Sequence, residues 1–199
     1  MLNHRIVPVL LVCLAAVACS PRDFLTRRLA SALITRSEAF SAPQQFFLRI
    51  GVVSNKDYLA PEYLVLQRRG WIAGVQVPCT ANVSPPPCWD IALTPIGVDT
   101  LKDLIPADNN SKQYFPITTA KRQLLEITGV SRSDNLADVE FTWKWAPLNE
   151  VGAALSPAVN YKSTVGFKHY DDGWRVLEGA APKSNQPLED ALHDAVPAP

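Results

Sequence analysis

The sequence predicts an α+β fold: a helical N-terminal part carrying a β-hairpin, then an antiparallel β-meander packed on a helix. Three observations lead there. Residues Ala137 to Ala146 alternate strictly, with Val139, Phe141, Trp143 and Trp145 on one side and Glu140, Thr142 and Lys144 on the other. That period of two belongs to a half-buried strand. Asp171-Asp172-Gly173 lies between two further alternating stretches and has the composition of a tight hairpin turn. The first half is punctuated for helices instead, by Pro61 and Gly70 and then by Thr94-Pro95.

Taken in order, Ser20 to Ala42 predicts one helix. Phe24, Leu25, Leu29, Ala32, Leu33 and Phe40 recur at helical spacing, Asp23 is the expected N-cap, and Pro43 ends or restarts the pattern. Phe46 to Val53 is apolar and too short for its period to separate strand from helix. Glu62 to Arg69 is expected to be helical, with Gly70 as its C-terminal cap. Trp71 to Cys79 and Cys88 to Thr94 predict two paired strands, joined by a loop containing Ser84-Pro85-Pro86-Pro87. Thr94 caps the next helix, whose apolar stripe is Val98, Leu101, Leu104 and Ile105. The polar stretch Pro106 to Lys112 marks the boundary between the halves.

In the second half, Tyr114 to Thr128 predicts a strand with a bulge near Arg122-Gln123-Leu124, where the apolar phase shifts. The strand over Ala137 to Ala146 follows, and the hairpin of Tyr161 to Tyr170 with Trp174 to Leu177 completes the meander. The expected division is a leader over 1–18, a tether and N-terminal helix over 19–42, and a helix/hairpin module over 43–106. A sheet module over 113–178 and a flexible tail over 179–199 complete it.

The amino end carries the most specific signal. Met1 to Arg5 has one firm positive charge, and Ile6 to Ala18 is an apolar run interrupted by Pro8. A bilayer-spanning helix needs about twenty apolar residues. This run is shorter and fits the core of a signal peptide. Leu14-Ala15-Ala16-Val17-Ala18-Cys19-Ser20 closes it and resembles the lipobox of bacterial lipoproteins, with Ala16 where leucine is usual. An ordinary signal peptide cut near Ala18 is the alternative. The resemblance implies lipidation at Cys19, with two or three acyl chains at about 0.8 kcal/mol per buried CH₂. It also implies a membrane partner through that lipid and, from Ser20 in a Gram-negative cell, an outer-membrane location facing the periplasm.

Export gives the remaining cysteines their meaning. Cys13 leaves with the leader, and Cys79 and Cys88 stand at the two ends of the hairpin loop. In an oxidising compartment such a pair is expected to be a disulfide. Two thiols alone make a poor zinc site, since structural zinc takes four ligands. The full fold expectation is therefore a helical N-terminal part with a disulfide-closed β-hairpin, followed by the meander.

Two weaker resemblances concern shape. The order helix, Gly70, hairpin, then Leu93-Thr94-Pro95-Ile96-Gly97 opening a helix is similar to a winged-helix module over about Ala60 to Ile105. Phe167-Lys168-His169-Tyr170-Asp171-Asp172-Gly173-Trp174-Arg175-Val176 looks like the last hairpin of cystatin-like and nuclear-transport-factor-like domains, which implies a sheet curled around a helix. Fold alone does not carry function. Without Arg5 the chain has 18 Lys and Arg against 19 Asp and Glu, so no basic excess exists for a nucleic-acid partner.

No serine-elbow, phosphate-loop or metalloprotease motif is legible. His169 beside Asp171 and Asp172 reads as a turn-flanking residue before it reads as a base or a metal ligand. No cofactor and no metal is expected. The functional expectation is a lipid-anchored envelope protein that binds another envelope component. The alternative is a small-molecule or glycan binder, with a pocket in the curved C-terminal sheet contacted by Trp143, Trp145, Phe167 and His169.

Overall fold

The computed structural model describes residues 24–80, 83, 85–105, 114–178 and 186–198. The first helix is α1, Arg27–Arg36, and Thr26 caps it by accepting from the Leu29 N–H at 3.1 Å. Asp23, the expected cap, lies outside the described residues, as does Cys19. The expected single helix is broken at Ser37. Its hydroxyl donates back to the Ile34 carbonyl at 2.7 Å and accepts from the Phe40 N–H at 3.3 Å, so the chain restarts as α2, Glu38–Ser41. Serine offers the backbone this local alternative to a continuous helix.

The rest of the first half mixes helices with strands beyond those of the expected hairpin. It holds β1 (Gln44–Arg49), β2 (Gly51–Ser54), α3 (Asn55–Tyr58), α4 (Pro61–Arg68), β3 (Ile72–Val77), β4 (Cys88–Leu93) and α5 (Pro95–Leu101). Proline opens α4, and Gly70 follows at φ +68°, a conformation that favours glycine. β3 and β4 form the expected antiparallel pair, from Ile72 opposite Leu93 to Val77 opposite Cys88. Cys79 and Cys88 are disulfide-bonded with Cα atoms 5.2 Å apart. β2 adds on the other side of β4, giving a three-stranded sheet in the order β2-β4-β3. Thr94 caps α5 through the Gly97 N–H at 3.0 Å. Of the expected stripe on α5, Leu101 is buried and Val98 is exposed.

The second half supplies a long strand, β5 (Tyr114–Ser133), then β6 (Leu136–Pro147), α6 (Glu150–Leu155), β7 (Asn160–Tyr170) and β8 (Gly173–Val176). Gly173 turns the last hairpin at φ +125°. The tail was expected to be loose. Residues 186–198 instead form α7 (Leu188–His193) and β9 (Val196–Pro197), because Leu188, Ala191 and Leu192 bury an apolar stripe. The large sheet is antiparallel and curled, in the order β1-β5-β6-β7-β8, with β9 on β7.

Two apolar clusters hold these layers. In the first, Ala30, Ile34 and Phe40 of α1 and α2 and Leu188 and Ala191 of α7 meet Ile127, Phe141, Trp143, Val165 and Phe167 of the sheet. In the second, Leu48, Phe115, Ile117 and Val151 meet Leu66, Trp71, Ile91 and Leu101 from the smaller sheet and its helices. β5 contributes to both. The sheet is thus packed on helices from both ends of the chain.

Candidate functional site

The site follows from where β1 stops. β1 pairs with β5 from Arg49 opposite Tyr114 to Gln44 opposite Ala120, and β6 pairs with β5 from Ala120 onward. From Lys121 on, among the described residues, no strand pairs with β5 on the side away from β6. α1 and α2 flank that side. Between them and β5 runs a cleft of about 960 Å³. Phe40, Leu124 and Ile127 give it an apolar lining, and Arg27, Arg28, Lys121 and Arg122 bring four cations against the one acid Glu126.

Each cation is placed by a different local cause. An Arg27 Nη2–H donates to the Thr128 carbonyl at 3.2 Å and ties the start of α1 to β5. Arg28 and Lys121 are exposed, and no carboxylate pairs with either among the described residues. Arg122 is the most constrained. Its Nη1–H groups donate to the Ala39 and Ala42 carbonyls at 2.9 and 3.2 Å, at the C-terminal end of α2, where a cation is favoured. Its guanidinium lies 4.5 Å from the Trp145 ring centre and 5.5 Å from that of Trp143. Its Nε is buried without a hydrogen-bond partner among the described residues, and burial lowers its pKa from the ordinary arginine range.

A second, smaller cleft of about 520 Å³ lies where β6 ends and the chain passes from α6 to β7. Trp145, Lys144, Gln123, Pro157 and Asn160 line it.

The residues singled out in the sequence fall in different places. Trp143 and Phe167 are core residues, so the pocket expected in the curved sheet is filled by the chain's own helices. Trp143 donates its Nε1–H to the Ser163 hydroxyl at 3.0 Å and stacks on Tyr161 at 4.7 Å. Trp145 meets Trp143 edge-on at 5.6 Å and is the one of the three aromatics that lines a cleft. His169 sits half-buried against the Trp174 ring at 5.1 Å. Asp172 pairs with Arg175 within the hairpin. Cys88 is fully buried in its disulfide. Among the described residues no group of His, Cys, Asp or Glu is placed to hold a metal ion.

Sequence reasoning missed the cleft because its walls are about ninety residues apart in the chain. The one available signal was the phase shift near Arg122-Gln123-Leu124, which lies between the end of the β1 pairing at Ala120 and the register shift beyond Leu124. No protein family, curated protein or solved structure matches this chain. No helix among the described residues is long and apolar enough to cross a membrane.

Proposed function

We propose that this chain is a lipid-anchored protein of the cell envelope, held through acylated Cys19 on the periplasmic face of the outer membrane, and that it binds another envelope component. The observation that carries the binding reading is the α1–β5 cleft: a groove with an apolar lining and two exposed cations, Arg28 and Lys121, that no carboxylate pairs with among the described residues. Thr26, which caps α1, lies seven residues beyond Cys19 in the sequence. A fully extended chain spans about 3.5 Å per residue, so the tether would keep the cleft within roughly 25 Å of the bilayer. The near-balanced charge argues for no nucleic-acid partner.

Two measurements test the two halves of this reading. Replacing Cys19 by Ala should move the protein out of the membrane fraction, and mass spectrometry should find acyl chains on the mature wild-type amino end. A photo-crosslinking residue at Ser31, in the cleft, should capture one defined envelope component in intact cells. An unmodified mature amino end sinks the anchor, and a cross-link pattern indistinguishable from background sinks the cleft.

A second reading has one observation behind it. Trp145 lines the smaller cleft beside Lys144, Gln123 and Asn160. An indole ring next to polar side chains suits a sugar face or a small ring. Titration with oligosaccharides should then quench tryptophan fluorescence in the wild type and not after Trp145→Ala.

A further inference from the structure

We propose that the open side of β5 from Lys121 to Ile127 is a strand-addition site for an acidic, extended segment of a partner protein. This rests on reading the α1–β5 cleft as the contact site.

An open strand side presents main-chain N–H and C=O groups that another extended chain can pair with. The two ends of this opening are already used. Arg27 takes the Thr128 carbonyl at one end, and Arg122 bridges to Ala39 and Ala42 at the other. Between them, among the described residues, no hydrogen bond from any element other than β6 reaches the β5 main chain. At about 3.3 Å per residue the stretch is about 20 Å long, room for a short extended peptide.

β5 is bulged, and bulges are one way in which proteins blunt an edge. The register with β6 stays regular from Lys121 opposite Ala146 to Leu124 opposite Trp143, and shifts only beyond Leu124. The regular part is the pairing template. The open edge of β1 is a poorer one, since the Tyr63 hydroxyl already accepts from the Arg49 N–H at 2.7 Å and donates to the Arg49 carbonyl at 3.2 Å.

Charge selects the occupant. Arg28 and Lys121 flank the opening with no salt-bridge partner among the described residues, so a segment bearing carboxylates gains charge-assisted hydrogen bonds. The parts of this chain outside the described residues contain only Asp23 and Asp108 as acids, which favours another protein over a segment of its own. An anionic lipid headgroup would meet the same cations but could not use the row of main-chain donors and acceptors.

The test uses the mature, detergent-purified protein and a fluorescein-labelled octapeptide alternating glutamate and valine. The expected result is saturable binding, with amide exchange slowed over Lys121–Leu124. Methylating alternate peptide nitrogens, or exchanging glutamate for lysine, should each weaken binding at least about tenfold. The double change Arg28→Glu with Lys121→Glu should do the same while leaving the urea unfolding midpoint unchanged, since both side chains are exposed and unpaired. Equal binding of the methylated peptide would overturn strand addition, and equal binding to the charge-reversed protein would overturn the location. Protection of Lys121–Leu124 by soluble dihexanoyl phosphatidylglycerol and not by the acidic peptide would overturn the proposal in favour of headgroups. A cross-link from Ser31 to a non-protein component would leave the cleft standing and remove this inference alone.

Discussion

Gly152 decides how closely α6 lies on β5, and its replacement gives a worked test of the packing. A Cβ at this position would fall 1.9 Å from the Thr119 carbonyl oxygen and 2.8 Å from its carbon. Ordinary non-bonded contacts lie near 3.5–4.0 Å, so in Gly152→Ala the helix must move by about 1.5 Å or more. Three hydrogen bonds stand in the way. Asn149 donates to the Thr118 carbonyl at 2.7 Å and accepts from the Gly152 N–H at 2.8 Å, and the Leu148 N–H reaches the Thr119 carbonyl at 2.9 Å. Val151, fully buried next door, would be pulled from the second apolar cluster. Weakened hydrogen bonds at about 1 kcal/mol each and the strained core outweigh the gain of about 1 kcal/mol from alanine's helix propensity. The expected net loss is about 2–3 kcal/mol, within the usual range for overpacking. With a urea slope of about 2 kcal/mol per molar, the unfolding midpoint should fall by about 1 M or slightly more. Gly70→Ala is the control: its backbone is left-handed at φ +68°, but an added Cβ would meet no atom of the described residues within 4 Å apart from its chain neighbours, so only about 1 kcal/mol of conformational strain is expected. A Gly152→Ala protein as stable as the wild type, or more stable, would refute the contact argument.

Two further outcomes follow from the hairpins. Reducing Cys79–Cys88 frees a loop of sequence separation 9. In the chain-entropy model this removes about 2.5–3 kcal/mol. A thermal melt with reductant should therefore shift down by about 5–10 °C, and an unchanged melt would show that the staple adds nothing. The hydrogen bond from Arg175 holds the Asp172 carboxyl below the usual aspartate range. Because the folded value is the depressed one, its small stabilising effect is present above the unfolded pKa and fades as pH falls through the folded one. Carboxyl NMR titration should show that low midpoint in the wild type and an ordinary one after Arg175→Gln. Coincident midpoints would remove the ion pair from solution.

Local chemistry was legible and distant pairing was not. The β3–β4 hairpin, the helix starts at Pro61 and Thr94-Pro95, the alternating strand β6 and the turn at Gly173 are written in neighbouring residues, where backbone restriction and side-chain period act directly. β1 was ambiguous because its partner on β5 lies about seventy residues away and supplies the reason it is a strand at all. α7 was missed because proline and small polar residues surround Leu188, Ala191 and Leu192, whose burial depends on a sheet that the segment cannot specify itself. The same limit governs the site. Trp143 and Trp145 share one side of β6, as the alternation predicts, but which of them meets solvent is set by what packs over them, and that buries Trp143 and leaves Trp145 at a rim.

β5 runs through both apolar clusters, giving Phe115 and Ile117 to one and Ile127 to the other. A beam shared by two rooms cannot be cut at the partition. A fragment ending before Tyr114 would leave Leu48 and Phe46 of β1 facing water, and one beginning there would lose α1 and α2 from its own sheet. Heat or denaturant should accordingly dismantle the two halves in one step, and a protease should find no severed portion that outlasts the other.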